Sequence, residues 1–132
     1  MINDGRAKAV KRIYVVDDSA LIRERLIEML SDNPDVQVVG QSADPFEAAA
    51  NIREMSPDVV ILDIQMEGKS GIELLKEIKR ETPDIRVIVL TSYAYPQYRR
   101  QCKDLGAEHF LSKLTEFEKL TVLIRNMDDR NV

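Results

Sequence analysis

Three aspartates, a threonine and a lysine stand at the predicted ends of apolar runs in this 132-residue chain, and together they could hold a divalent cation and handle a phosphoryl group. Asp17 and Asp18 close the run Ile13 to Val16, Asp63 closes Val59 to Leu62, and Thr91 closes Val87 to Leu90. Lys113 follows the short run Phe110 to Leu111 through Ser112. Clustered carboxylates repel one another, which raises some of their pKa values. A small hard cation relieves the repulsion, and Mg²⁺ takes oxygen ligands in an octahedron while keeping several waters. Asp17, Asp18 and Asp63, with the backbone carbonyl of Gln65, would suit it. Asp63 could then attack phosphorus as a carboxylate nucleophile. Thr91 and Lys113 could hold the remaining phosphoryl oxygens and neutralise their charge.

Each residue also has a plainer use. An Asp-Asp pair before a helix serves as an N-cap with favourable dipole charge. Thr91 and Lys113 taken alone are unremarkable. Asp63 is harder to explain that way, because a carboxylate ending a buried strand needs a partner. The joint arrangement points to chemistry. Cys102 and His109, one of each kind, make neither a metal cluster nor a nucleophile–base pair.

The elements that must position these residues alternate along the chain. Ile13 to Val16 is a short β-branched run, as expected of a strand covered on both faces. Ser19 to Leu30 repeats Ile22, Leu26 and Met29 at helical spacing, with Asp18 or Ser19 as N-cap. Val36, Val38 and Val39 form a more polar strand, placed at a sheet edge. Asp44-Pro45 opens a helix that reaches about Met55. Val59 to Leu62 is the most hydrophobic strand and should be central. Ile64 to Lys69 reads as a loop, and Ser70 caps a helix with Ile72, Leu75 and Ile78. Ile85 to Leu90 is the next strand, Gln97 to Leu105 a polar helix ended by Gly106, Glu108 to Leu111 a short strand, and Thr115 to Met127 the last helix.

Five strand-then-helix units predict an α/β fold, a flavodoxin-like, doubly wound (βα)5 domain. Its five-stranded parallel sheet would run in the order 2-1-3-4-5 with helices on both faces. Ligands of such sheets bind beyond the carboxyl ends where the winding reverses, between the first and third strands. That is where Asp17, Asp18 and Asp63 would lie. The domain is expected over residues 11–127, with polar tails at 1–10 and 128–132.

Composition narrows the classes. The single cysteine permits no internal disulfide, which suits a reducing, cytoplasmic setting. No apolar stretch approaches the ~20 residues of a membrane span. A net charge of −4 favours neither direct nucleic-acid binding nor an anionic membrane.

Val15-Val16-Asp17-Asp18-Ser19, Leu62-Asp63-Ile64-Gln65-Met66, Leu90-Thr91-Ser92 and Leu111-Ser112-Lys113 together resemble the receiver domain of two-component response regulators. Four motifs in this order and spacing are specific, and they cover nearly the whole chain. The resemblance implies that Asp63 is the phosphoacceptor, that Asp17 and Asp18 are the Mg²⁺-binding acidic pair, and that Thr91 and Lys113 are the switch hydroxyl and the phosphate-contacting lysine. Phe110 matches the aromatic switch position. The donor would be the phosphohistidine of a sensor histidine kinase or a histidine phosphotransfer protein. The kinase would face the first helix (Ala20, Leu21, Arg23) and the loop after the last strand. Departures are also visible. Glu67 and Leu114 stand where the family commonly has prolines, Phe110 where Tyr is frequent, and Ser92 where Ala or Gly is common. A non-proline cis bond costs ~2.5–4 kcal/mol, so a trans Lys113–Leu114 bond is expected.

A phosphoryl group on Asp63 would draw Thr91 inward, move Ser92 to Pro96 and let Phe110 fill the vacated space. The responding surface would be the fourth helix, fifth strand and fifth helix. Tyr93, Tyr95, Tyr98 and Arg99 gather there, residue types favoured at interface hot spots. The chain thus reads as a phosphorylation-dependent signalling switch of a two-component system or phosphorelay, catalysing only its own phosphoryl transfer and slow dephosphorylation. It would act on a downstream protein target, with a phosphorylation-dependent homodimer as one option. Alternatives are the regulatory domain of a larger DNA-binding response regulator, an aspartyl-phosphate phosphohydrolase, and a flavodoxin-like cofactor binder. The adjacency of Asp17 and Asp18 argues against the phosphohydrolase motif, and their charge against a flavin phosphate.

Overall fold

A computed structural model describes residues 10–66 and 69–127. Seven strands and five helices follow in the order β1 (Lys11–Val16), α1 (Ala20–Ser31), β2 (Val36–Ser42), α2 (Pro45–Met55), β3 (Val59–Leu62), β4 (Gln65–Met66), β5 (Lys69–Ser70), α3 (Gly71–Glu81), β6 (Arg86–Thr91), α4 (Pro96–Asp104), β7 (His109–Ser112) and α5 (Lys119–Arg125). β2, β1, β3, β6 and β7 form one sheet in that order, with all adjacent pairs parallel. Counted without the small β4–β5 hairpin, the order is the expected 2-1-3-4-5. The most apolar strand, β3, is central, and β2 is an edge.

Period-two alternation sends each strand's side chains to opposite faces. Tyr14 and Val16 join Val60, Leu62, Val87 and Val89 on the face packed by α2, α3 and α4, with Ala48, Ile52, Leu74, Leu75, Ile78 and Cys102. Ile13 and Val15 join Val59, Ile61, Ile88 and Leu90 on the other face, against Leu26 and Leu30 of α1 and Leu120 and Ile124 of α5. Both faces being covered explains why the strand sequences are nearly continuous apolar runs.

Local signals set the helix starts. The Ser19 hydroxyl accepts from the Ile22 N–H, an Asp44 carboxylate oxygen from Phe46, and the Ser70 hydroxyl from Ile72. α4 has no side-chain cap and begins at Pro96 after Tyr95. Gly106, just past α4, has φ +105°, a conformation that glycine adopts without steric cost.

Three expectations need correction. Residues 64–69 are not simply a loop, because Gln65–Met66 pairs antiparallel with Lys69–Ser70. The fourth helix begins one residue early, at Pro96. The last helix begins at Lys119 and not at Thr115. Residues 112–116 instead close on themselves: the Glu116 N–H donates to the Ser112 carbonyl at 2.9 Å and the Leu114 N–H to the Ser112 hydroxyl at 3.1 Å. The first is a single α-type turn that is not continued, and the second is a local side-chain bond that competes with a regular helix there. The Lys113–Leu114 bond is trans, as expected. Glu67 and both predicted tails, apart from Val10, lie outside the described residues.

Candidate functional site

Register brings the aspartates together. Val16 of β1 pairs with Leu62 of β3, so Asp17 and Asp63 leave adjacent strands at the same level. The Asp63 N–H donates to the Val16 carbonyl at 3.0 Å. Thr91 pairs with Ser112 across β6 and β7, and the Lys113 N–H donates to the Thr91 carbonyl at 2.9 Å. The carboxyl edge of the sheet thus collects residues 17, 18, 63, 91 and 113.

Their side chains converge as well. Carboxylate oxygens of Asp17, Asp18 and Asp63 lie within 4.8 Å of one another. The Lys113 ammonium is 2.6 Å from Asp17 Oδ2 and 3.0 Å from Asp63 Oδ2. Asp17 and Asp63 are buried, whereas Asp18 is exposed at the mouth. A cleft of about 440 Å³ opens onto Asp18, Asp63, Gln65, Met66, Tyr93 and Lys113, with Ser92 also on its wall.

Electrostatics set two titrations apart from ordinary values. Burial pushes the Asp63 carboxyl up, partly offset by the Gln65 N–H and by the charge of Lys113. Burial pulls the Lys113 ammonium down, but its hydrogen bond to Asp17 and the charges of Asp63 and Asp17 outweigh this, leaving it raised. The pair therefore favours a cation at the site beside a nucleophile candidate that is itself largely shielded from water. Perturbation of this kind marks functional sites.

Several supports were not read from the sequence. The Gln65 N–H donates to Asp63 Oδ1 at 3.0 Å, fixing the carboxylate's rotation. The Ser19 N–H does the same for Asp17 Oδ1 at 2.9 Å. Arg23, read above only as a kinase contact, donates to the Asp17 carbonyl at 2.7 Å and to Gln41 at 2.7 Å. Gly71 opens α3 directly beneath Asp63, where a Cβ would stand 2.1 Å from the Asp63 carbonyl oxygen. No periodicity signals that close approach; a glycine at a predicted helix start was the only hint.

The remaining sequence candidates are placed as follows. Thr91 is fully buried, and its hydroxyl accepts from the Tyr93 N–H at 3.0 Å. Phe110 is packed inward. Tyr93 and Tyr95 are exposed, and ring centroids of Tyr93–Tyr95 and Tyr95–Tyr98 are 6.3 and 6.0 Å apart, so the tyrosines form one cluster. Arg99 is not a freely presented side chain: it donates to the Phe110 carbonyl at 3.0 Å and lies 4.8 Å over the Phe110 ring. Gln65 lines the cleft, with its side-chain amide 3.5 Å from the Tyr98 hydroxyl. No helix among the described residues is long and apolar enough to cross a membrane.

Known proteins resemble this arrangement. A family model of the response regulator receiver domain matches residues 13–125. The transcriptional regulatory protein LiaR of Bacillus subtilis (strain 168) is 35% identical over 114 residues, covering 86% of this chain and 54% of that protein. A protein-glutamate methylesterase/protein-glutamine glutaminase of Hydrogenovibrio crunogenus is 36% identical over 104 residues, 77% of this chain and 27% of that protein. The response regulator domain of Thermotoga maritima CheB superposes with a TM-score of 0.79 at 32% identity, covering 91% of this chain and 99% of that one. The chain spans about half the length of LiaR and a quarter of the methylesterase.

Proposed function

Since the chain belongs to the response regulator receiver domain family, we propose that it is a phosphorylation-dependent switch whose Asp63 accepts a phosphoryl group from a phosphohistidine. The observation that carries this reading is the convergence of Asp17, Asp18 and Asp63 on one cleft, with Lys113 bridging two of them. Receiver domains are signalling domains that work between a kinase and an effector, and a histidine kinase or phosphotransfer protein would be the donor.

The donor set fits Mg²⁺, because three carboxylates offer hard oxygens with too little positive charge nearby to balance them. Asp17, Asp18 and Asp63, with the Gln65 carbonyl, would hold the ion. Once bound, Mg²⁺ would offset charge on the transferring phosphoryl oxygens. In the transfer an Asp63 oxygen bonds to phosphorus as the phosphorus–nitrogen bond to imidazole breaks, its electron pair remaining on the ring nitrogen. Lys113 leaves its ion pair with Asp63 to hold a phosphoryl oxygen. The Thr91 hydroxyl hydrogen-bonds another, which loosens its hold on the Tyr93 N–H and frees residues 92–96 to move. Phe110 and the α4–β7–α5 face would follow, and the Tyr93, Tyr95 and Tyr98 cluster would meet a downstream protein. LiaR, named as a transcriptional regulatory protein, supports the regulatory part of a larger DNA-binding protein as a second reading. Homodimerisation on phosphorylation would favour it.

The experiment is incubation with Mg²⁺ and acetyl phosphate, followed by mass measurement. One labile phosphoryl adduct is expected in the wild type and none in Asp63→Asn. An adduct that survives Asp63→Asn would overturn the assignment, and steady turnover of a free phosphate ester would revive the phosphohydrolase.

A further inference from the structure

Lys113 must aim a buried ammonium from a loop whose next residue, Leu114, is 78% exposed. No proline stiffens this loop, since Leu114 follows the lysine. Besides the Lys113 N–H bond to Thr91 and the Leu114 N–H bond to the Ser112 hydroxyl, Glu116 closes it. The Ser112 N–H donates to Glu116 Oε1 at 3.0 Å, and the Glu116 N–H donates to the Ser112 carbonyl at 2.9 Å. Both backbone groups of Ser112 therefore end on Glu116, and Lys113 sits inside the ring so formed. The Glu116 carboxylate is met from two further elements: Lys119 of α5 at 3.2 Å and the Arg99 guanidinium of α4 at 4.0 Å. Arg99 in turn holds the carbonyl and ring of Phe110.

We infer that Glu116 is a positioning residue that fixes Lys113 toward Asp63, and that Arg99 makes this positioning depend on how Phe110 is packed. The inference rests on the reading of Asp63 as phosphoacceptor for its functional consequence, though not for its geometry. Arg99 is about half exposed and its charge pair with Glu116 is long, so attraction between them adds little to stability. The role is geometric. A planar guanidinium lies over the aromatic ring and faces the carboxylate at the same time, so rearrangement of Phe110 or α4 pulls on the base of the Lys113 loop. This route is separate from the Thr91 hydroxyl, which reports to Tyr93. Two lines would then run from the site to the α4 surface, one through each residue that holds the phosphoryl oxygens.

The test uses the whole chain and two readouts. The first is the Phe110 and Lys113 amide signals by NMR in Mg²⁺-free, unphosphorylated protein. The second is the rate of phosphoryl uptake from acetyl phosphate with Mg²⁺. Glu116→Ala is expected to shift both signals and slow uptake about tenfold, because a small misplacement of a reacting group is costly. Glu116→Gln keeps an oxygen for the Ser112 N–H and should restore uptake to near the wild-type rate. Arg99→Ala should move the Phe110 and Lys113 signals, and combining it with Glu116→Ala should add less than the sum. Wild-type signals and rate in a folded Glu116→Ala protein, or strictly additive shifts, would overturn the inference. If Glu116→Ala does not fold, an unmoved Lys113 signal in Arg99→Ala overturns it instead. Failure of the wild type to take up phosphate would defeat the reading of Asp63 as phosphoacceptor alone, since the Mg²⁺-free signals still judge the ring and its link.

Discussion

α3 and α4 pack on the same face of the sheet and are built to opposite ends. α3 buries Gly71, Leu74, Leu75 and Ile78, is capped by Ser70, and starts against the Asp63 backbone. α4 buries Cys102 alone, lacks a side-chain cap, and reaches the Phe110 carbonyl of β7 through Arg99. The first helix is a foundation for the nucleophile candidate. The second is the segment that a phosphoryl group on Asp63 would reposition at least cost under the proposed function, since local opening concentrates where few apolar contacts hold an element. A switch needs both, because a phosphoryl group can only bias an element whose alternative packing lies within a few kcal/mol.

The contrast can be broken by mutation. The largest effect is expected from Leu75→Ala, which empties a fully buried site in α3 and should cost about 2–5 kcal/mol in denaturant unfolding. Gly71→Ala should cost roughly 1–3 kcal/mol, because the Asp63 carbonyl must move aside, and should slow phosphoryl uptake as well. Cys102→Ala, the matching change in α4, should cost only about 1 kcal/mol. A Cys102→Ala loss equal to that of Leu75→Ala would erase the distinction. The thiol sharpens it further. Burial pushes Cys102 up to about 11, so native protein at pH 8 should react with a disulfide reagent far more slowly than unfolded protein, at a rate set by opening of α4.

The smallest expected shift has a definite sign. Burial raises the Asp63 pKa in the folded state, so its contribution to stability is complete below the unfolded value and is lost as pH rises through the folded one. At pH 7 without Mg²⁺ the ionised carboxylate therefore works against folding. Asp63→Asn should raise the melting temperature there, and the gain should fade as pH approaches 4. A variant less stable than wild type at pH 7 would show that the Lys113 ion pair outweighs burial.

The sheet and the site were largely legible because the same residues signal both. Strands covered on two faces must be apolar throughout, so the polar residues ending them at 17, 63 and 91 stood out. Less legible was what depends on backbone groups. The turn at 112–116, held by the Ser112 hydroxyl and the Glu116 carboxylate, precedes the last helix and leaves no sequence signal, since a serine and a glutamate four apart look like any helix surface. Gly71 carried no pattern of its own. Arg99 read as an exposed hot spot because its stacking on Phe110 joins residues eleven apart on different elements.

One property of the parallel sheet reaches beyond the finished molecule. Lys113 touches Asp17 and Asp63 only once β7, the last of the five strands of this sheet in chain order, has docked beside β6. A chain emerging from the ribosome would therefore hold its acidic pocket without the counter-charge until residue 113 is made and β7 has docked. If Asp63 is the phosphoacceptor, a copy still lacking β7 would meet its donor without the lysine that is to neutralise phosphoryl oxygens, and would stay silent until that strand arrives.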